Sequence, residues 1–179
     1  MLENITFLLP YTVLASHIVF VILFFSLIFR NSWGRGVQIF LGGHAVLLAL
    51  LVSLAAVSGS LFYSEIVGFE PCVLCWWQRV FVYPQVIIFA VALWKRKNDV
   101  FAYAVPMVLI SGVLGLYQSY VYMGGTSILP CTALGGACAK NYVFEFGYIS
   151  IPTMSLTISI FILLLAWANR IYQNENSHT

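Results

Sequence analysis

Charged side chains are scarce in this chain. Of 179 residues only 8 are Lys or Arg and 6 are Asp or Glu, so 8% are charged while 61% are hydrophobic. An ordinary soluble domain carries about 25% charged residues, and a surface this poor in charge cannot face water. The deficit excludes a soluble globular domain and a disordered tail. Eight basic residues and a net charge of +2 are also too few for the basic face that nucleic acid requires. Segments of alternating polarity, the mark of a membrane β-barrel, are missing. So are the Walker and dinucleotide-binding fingerprints. Cys-Val-Leu-Cys is followed by Trp76 rather than the histidine of a c-type haem site.

Long apolar runs fill the space that charge leaves. A bilayer core takes about 20 apolar residues per helix, and five runs qualify: 7–29, 37–63, 80–94, 100–122 and 149–168. The third is short unless Trp76 and Trp77 extend it. Backbone groups in hydrocarbon must pair within their own segment, so each run is expected to be a helix. The first run is preceded only by Glu3 and lacks the basic start of a signal peptide, so it reads as a retained span. The expected fold is an all-α membrane protein with five spans. Residues 1–36 are expected to form an N-terminal transmembrane helix and the loop after it, and residues 37–179 a four-helix core. The polar tail from Gln173 to Thr179 is expected to fray.

Lys and Arg set the orientation. Arg30, Arg35, Lys95, Arg96, Lys97 and Arg170 fall on one side of a five-span chain, Arg79 and Lys140 on the other. The basic side of short loops is cytoplasmic, so the N-terminus is expected outside and the C-terminus inside.

The four cysteines, Cys72, Cys75, Cys131 and Cys138, all fall in the two outer loops. Buried structural cysteines would be expected in the spans, whereas disulfides persist on the oxidising side of a bacterial membrane. Two pairs, one per loop, read either as static staples or as redox pairs. The first pair favours redox chemistry. Pro71 suits the first position of a helix, which places Cys72 in the first turn, where the helix terminus favours a thiolate. Arg79 lies four residues beyond Cys75 and so shares its helix face. It is either an interfacial anchor or the partner of a developing anion, on the Cys75 thiolate or on an oxygen of a bound cofactor. Trp76 and Trp77 suit a membrane interface. Gln78, Tyr83 and Gln85 are the nearby polar candidates. The second pair sits in a pliable segment with Gly135-Gly136 between its cysteines, an accessible loop disulfide or a staple.

Zinc is disfavoured by the long second spacing, and no metal is expected. Gly112 and Gly115 suit helix packing. His17 and His44 lie within spans, where a histidine is either functional or, at least as readily, a helix-to-helix hydrogen bond.

The run Pro71-Cys72-Val73-Leu74-Cys75-Trp76-Trp77-Gln78-Arg79, followed by Tyr83-Pro84, resembles the bacterial disulfide bond formation protein B family (DsbB and its BdbC-type relatives). The segment from Pro130 to Cys138 and the run Phe146-Gly147-Tyr148-Ile149-Ser150-Ile151-Pro152 resemble its short-loop BdbC-type branch. The resemblance covers about residues 54–168. It implies a quinone-linked thiol oxidase of the cytoplasmic membrane, with both cysteine pairs on the outer side. Cys131–Cys138 would accept electrons from a secreted or periplasmic thioredoxin-fold (DsbA-like) protein, and Cys72–Cys75 would pass them to ubiquinone or menaquinone. Catalytic residues would be Cys72, Cys75, Cys131 and Cys138, with Cys75 and Arg79 facing the quinone. Two features depart from the family. The first span is additional, with its role open, and the second cysteine spacing is shorter than in the best-known members. Two rival classes stand beside this one: a bundle related to vitamin K epoxide reductase, and a structural or metal-handling membrane protein with stapled loops. The Trp-x-Gln-Arg suffix argues against the first.

Overall fold

A computed structural model of the chain describes residues 2–29, 32–126, 143 and 146–177. The described residues form helices α1 (Leu2–Ile28), α2 (Ser32–Gly43), α3 (Ala45–Leu61), α4 (Val73–Trp94), α5 (Phe101–Tyr122) and α6 (Ile151–Ser177), with one π-helical turn at Phe62–Ile66. Five of these helical stretches are long and apolar enough to cross a membrane: Tyr11–Ile28, Ala45–Ile66, Val73–Trp94, Phe101–Tyr122 and Ile151–Asn176. The chain is an all-helical, multi-pass membrane protein. Each span of 22 residues is roughly 33 Å long at 1.5 Å per residue, enough for a hydrocarbon core.

Three boundaries differ from expectation. The second apolar run divides at His44 into α2 and α3, so residues 32–36, expected as loop, are helical. The hydrogen-bond ladder still crosses the junction, from His44 N to Phe40 O at 3.1 Å and from Leu48 N to His44 O at 2.9 Å. The third span is full length because Trp76 and Trp77 belong to it. The polar tail does not fray at Gln173, since α6 continues to Ser177.

Helices α3 to α6 pack as a bundle. Small residues sit where the helices meet: Ala49, Ser53, Ala104, Ser111 and Ala168 have no exposed surface. In a bilayer, helix association relies on close van der Waals approach rather than on hydrophobic transfer, and small side chains allow it. Phe89 fills the space between them, its ring 5.5 Å from that of Phe101. A Cβ on Gly115 would lie in ordinary contact with Leu156 of α6, which accords with the packing role expected for that glycine. At the opposite end of the bundle Gly42 of α2 lies against Tyr172 of α6 so closely that an added Cβ would collide with the Tyr172 side chain.

α1 lies alongside α2 and α6. His17 Nε2 and Thr157 Oγ1 are 2.8 Å apart, the helix-to-helix hydrogen bond anticipated for that histidine. Such a bond contributes about 0.6 to 2 kcal/mol in a membrane. Aromatic rings add contacts along the same seam, Tyr11 with Phe146 at 5.2 Å and Phe20 with Phe161 at 5.4 Å. His44 bonds instead within its own chain turn, to Phe40 O at 3.0 Å.

Candidate functional site

The chain leaves α3 through the π turn, whose wider ring turns Tyr63 inward, where it is buried. π turns recur at functional sites. Gly68 follows with φ +79°, in the left-handed region that glycine enters without steric penalty. Phe69 N bonds back to Tyr63 O at 2.9 Å. This reversal delivers Glu70, Pro71 and Cys72 to the start of α4.

Cys72 is the N-cap of α4, extended at φ −73° and ψ 169°, and Val73 is the first helical residue. The helix thus opens two residues later than Pro71 suggested, with Cys72 as its cap rather than inside the first turn. The difference matters chemically. As N-cap, the Cys72 sulfur accepts a hydrogen bond from the Cys75 backbone N–H at 3.3 Å, and the unpaired N–H groups of a first turn favour negative charge. The Cys72 and Cys75 sulfurs are 2.9 Å apart. Cys72 is buried and Cys75 half-buried.

Gln118 of α5 reaches this pair. Its Nε2 donates to Cys72 Sγ at 3.1 Å and to Cys75 Sγ at 3.2 Å, while its Oε1 accepts from Gln78 Nε2 at 2.7 Å. Gln78 therefore fixes which way the Gln118 amide points. Both glutamines are buried. Arg79, one turn beyond Cys75, directs its hydrogen bonds to Ser60 of α3: Nε to Oγ at 3.0 Å and Nη2 to the carbonyl oxygen at 3.3 Å. Tyr83 donates to the same Ser60 hydroxyl at 3.2 Å. The guanidinium also stands 5.2 Å from the Trp76 ring centre, within cation–π range.

These groups share one cavity of about 610 Å³ with largely apolar walls, which Cys72, Cys75, Gln78, Arg79, Tyr83 and Gln118 all line. Tyr63 lines it as well, and its hydroxyl is buried with no hydrogen-bond partner among the described residues. Such an oxygen leaves donor capacity for a bound molecule.

Of the expected site residues, Cys72, Cys75, Arg79, Gln78 and Tyr83 come together. Gln85 does not: it is buried lower in α4 and donates to Phe81 O at 3.2 Å. Cys131 and Cys138 lie outside the described residues; Tyr122, at the cysteine end of the bundle, donates to Val143 O at 3.1 Å. Gln118, Ser60 and Tyr63 were not singled out from the sequence. Gln118 carried a signal: it is a lone amide in an apolar span, and polar side chains at membrane depth are costly and tend to serve a purpose. Ser60 and Tyr63 carried none, because only the π turn and the α3–α4 contact bring them in.

The model of the family described as disulfide bond formation protein DsbB matches residues 43–169, which contain this site. The chain belongs to the DsbB family. Among its relatives, the probable disulfide formation protein C 2 of Bacillus anthracis is 32% identical over 133 residues, covering 74% of this chain and 95% of that protein. The disulfide bond formation protein C of Bacillus subtilis (strain 168) is 37% identical, covering 64% of this chain and 83% of that protein. A probable disulfide formation protein of Metapseudomonas resinovorans is 36% identical, covering 68% and 86%. No solved structure matches the chain. Membership in the DsbB family places this protein in disulfide bond formation, with the thiol redox chemistry that its cysteines suit.

Proposed function

We propose that this DsbB-family protein is a thiol:quinone oxidoreductase of the bacterial cytoplasmic membrane. It reoxidises a thioredoxin-fold, DsbA-like dithiol protein on the outer side and passes the electrons to ubiquinone or menaquinone. One observation carries the reading: a Cys-x-x-Cys pair at the head of a membrane helix opens into a largely apolar cavity of about 610 Å³ that also holds an arginine. The residues fit a quinone. Apolar walls suit its ring and isoprenoid tail, and its two carbonyl oxygens need donors. Arg79 and Tyr63 supply them.

In the proposed sequence, the partner's thiolate attacks the Cys131–Cys138 disulfide at Cys131 and forms a mixed disulfide. The partner's second thiol displaces Cys131, so the partner leaves oxidised and Cys131 and Cys138 are left as thiols. That dithiol reduces the Cys72–Cys75 disulfide by the same exchange, entering at Cys72. A bound quinone supplies the sink for the two electrons and two protons released when Cys72 and Cys75 close again. The chain's own task is to hold charge at that moment. Gln118 N–H points at both sulfurs, the Cys75 N–H points at Cys72, and the Arg79 charge stands one turn away. Fixed donors aimed at developing charge act strongly in a water-poor site.

The test mixes purified protein with a reduced thioredoxin-fold dithiol protein and a soluble quinone, and follows quinone absorbance. Quinone loss that disappears in Cys75→Ser and in Cys131→Ser is the expected result. No loss with ubiquinone or menaquinone analogues, with all cysteines locked as disulfides, would refute it in favour of stapled loops.

A further inference from the structure

The cavity has a wall that the family does not account for. The family match begins at residue 43, so α1 lies wholly outside it. Yet Thr12, Val13, Ala15, Ser16 and Val19 of α1 line the same cavity as Cys75 and Arg79. The spacing is that of one helical face. The lining side chains are small, while the bulky Ile18, Ile22 and Phe25, each more than half exposed, stay outside the cavity lining. α1 is held in this register by the His17–Thr157 hydrogen bond, one residue from Ser16, and by Phe20 against Phe161 of α6. Thr157 and Phe161 line the cavity too, so the contacts that seat α1 are part of the cavity rim. Ser16 donates its hydroxyl hydrogen to Val13 O at 2.7 Å, so that hydrogen is already engaged within α1. The buried Tyr63 hydroxyl, which has no partner among the described residues, marks the same cavity as one shaped for a ligand with an acceptor oxygen.

We propose that α1 is a working wall of the quinone site: its small-residue face, Ala15 and Ser16 above all, sets how bulky a quinone ring the cavity accepts and how tightly it is held. This rests on the thiol:quinone reading and extends it to a helix outside the family core. A quinone reaches such a site through the bilayer, and α1 covers part of the side it must pass. Narrowing the gap at Ser16 therefore acts on binding without touching the sulfurs, Gln118 or Arg79.

The experiment is competitive photolabelling of the full chain in lipid nanodiscs with an azido-quinone, displaced by decylubiquinone or a short-chain menaquinone analogue. Competed label in the peptide spanning Tyr11 to Phe29, alongside label near Arg79, is expected. Ser16→Phe and Ala15→Phe should each weaken displacement at least tenfold. Ile22→Phe, outside the cavity lining, should not change it. Competed label confined to α3–α6, with both cavity-lining variants displaced like the parent, would overturn the role of α1. It would leave the quinone reading standing. The wild-type label needs no substitution and therefore decides the matter even if a bulky variant fails to fold. Absence of competed label anywhere would instead overturn the quinone reading, and this proposal with it.

Discussion

Gln118 is the residue on which the two sulfurs depend jointly, because one amide donates to both and Gln78 sets its direction. A hydrogen bond to a charged acceptor is worth about 1.5–3 kcal/mol. Gln118→Leu should therefore slow alkylation of the Cys72/Cys75 pair by iodoacetamide at neutral pH roughly 10- to 100-fold, with quinone reduction falling in step. A purely structural glutamine would change the melting temperature and leave the alkylation rate per folded molecule alone. Arg79→Ala removes a cation that is bonded to Ser60 yet faces the cavity, and quinone turnover should fall by about 10²-fold. Unchanged quinone dependence would make Arg79 an interfacial anchor. Tyr63→Phe separates stability from function. Its buried hydroxyl lacks a partner among the described residues, and such a group costs about 1–3 kcal/mol. The variant should melt higher without ligand and bind quinone several-fold more weakly, a split that differential scanning calorimetry and quinone titration would expose together.

Elements meet here through missing side chains as much as through present ones. Gly42 of α2 sits where a Cβ would collide with Tyr172 of α6 and come within 3.1 Å of the Ala168 carbonyl. Gly36, on the same helix, has open space around it. Overpacking costs about 1–3 kcal/mol, so Gly42→Ala should lower the detergent melting temperature. Gly36→Ala should be neutral or slightly stabilising, since alanine is the better helix former. Equal effects at the two positions would show that α2 does not pack as described. Elements also explain which sequence expectations shifted. The break at His44 follows Gly42-Gly43, whose weak helix propensity allows a bend that the hydropathy profile passes over. The Cys72 N-cap is a hydrogen-bonding choice between neighbouring residues that proline preference alone does not resolve.

At the scale of the whole molecule, the cysteine end and the basic end are opposite poles. Cys72 heads α4, and Lys95, Arg96 and Lys97 follow its last residue. Exposed Trp76 and Trp77 ring one pole, and Trp94, 83% exposed, and Tyr103, 74% exposed, ring the other, as aromatic belts do at the two membrane interfaces. On the proposed orientation, which puts the basic pole in the cytoplasm, Met123→Cys in a cysteine-free background should react with a membrane-impermeant maleimide in intact spheroplasts. Lys97→Cys should react only after permeabilisation. The reverse pattern would invert the orientation and place the cysteine pairs in the reducing compartment, where a disulfide-forming role fails.

Hydropathy alone determined the membrane class, the number of spans and the helical fold, because a bilayer demands long apolar runs with internally paired backbones. The Cys-x-x-Cys-Trp-x-Gln-Arg run by itself marked the cysteine pair and the helix it heads, since its chemistry is local. Tertiary structure decided the rest. Only packing brings Gln118, 43 residues beyond Cys75, to hold both sulfurs. Only the π turn buries Tyr63, and only the seam between α1 and α6 turns the first span into a wall of the cavity. Contacts between residues far apart in the chain depend on how helix faces rotate and approach one another, and no spacing along a single helix encodes that.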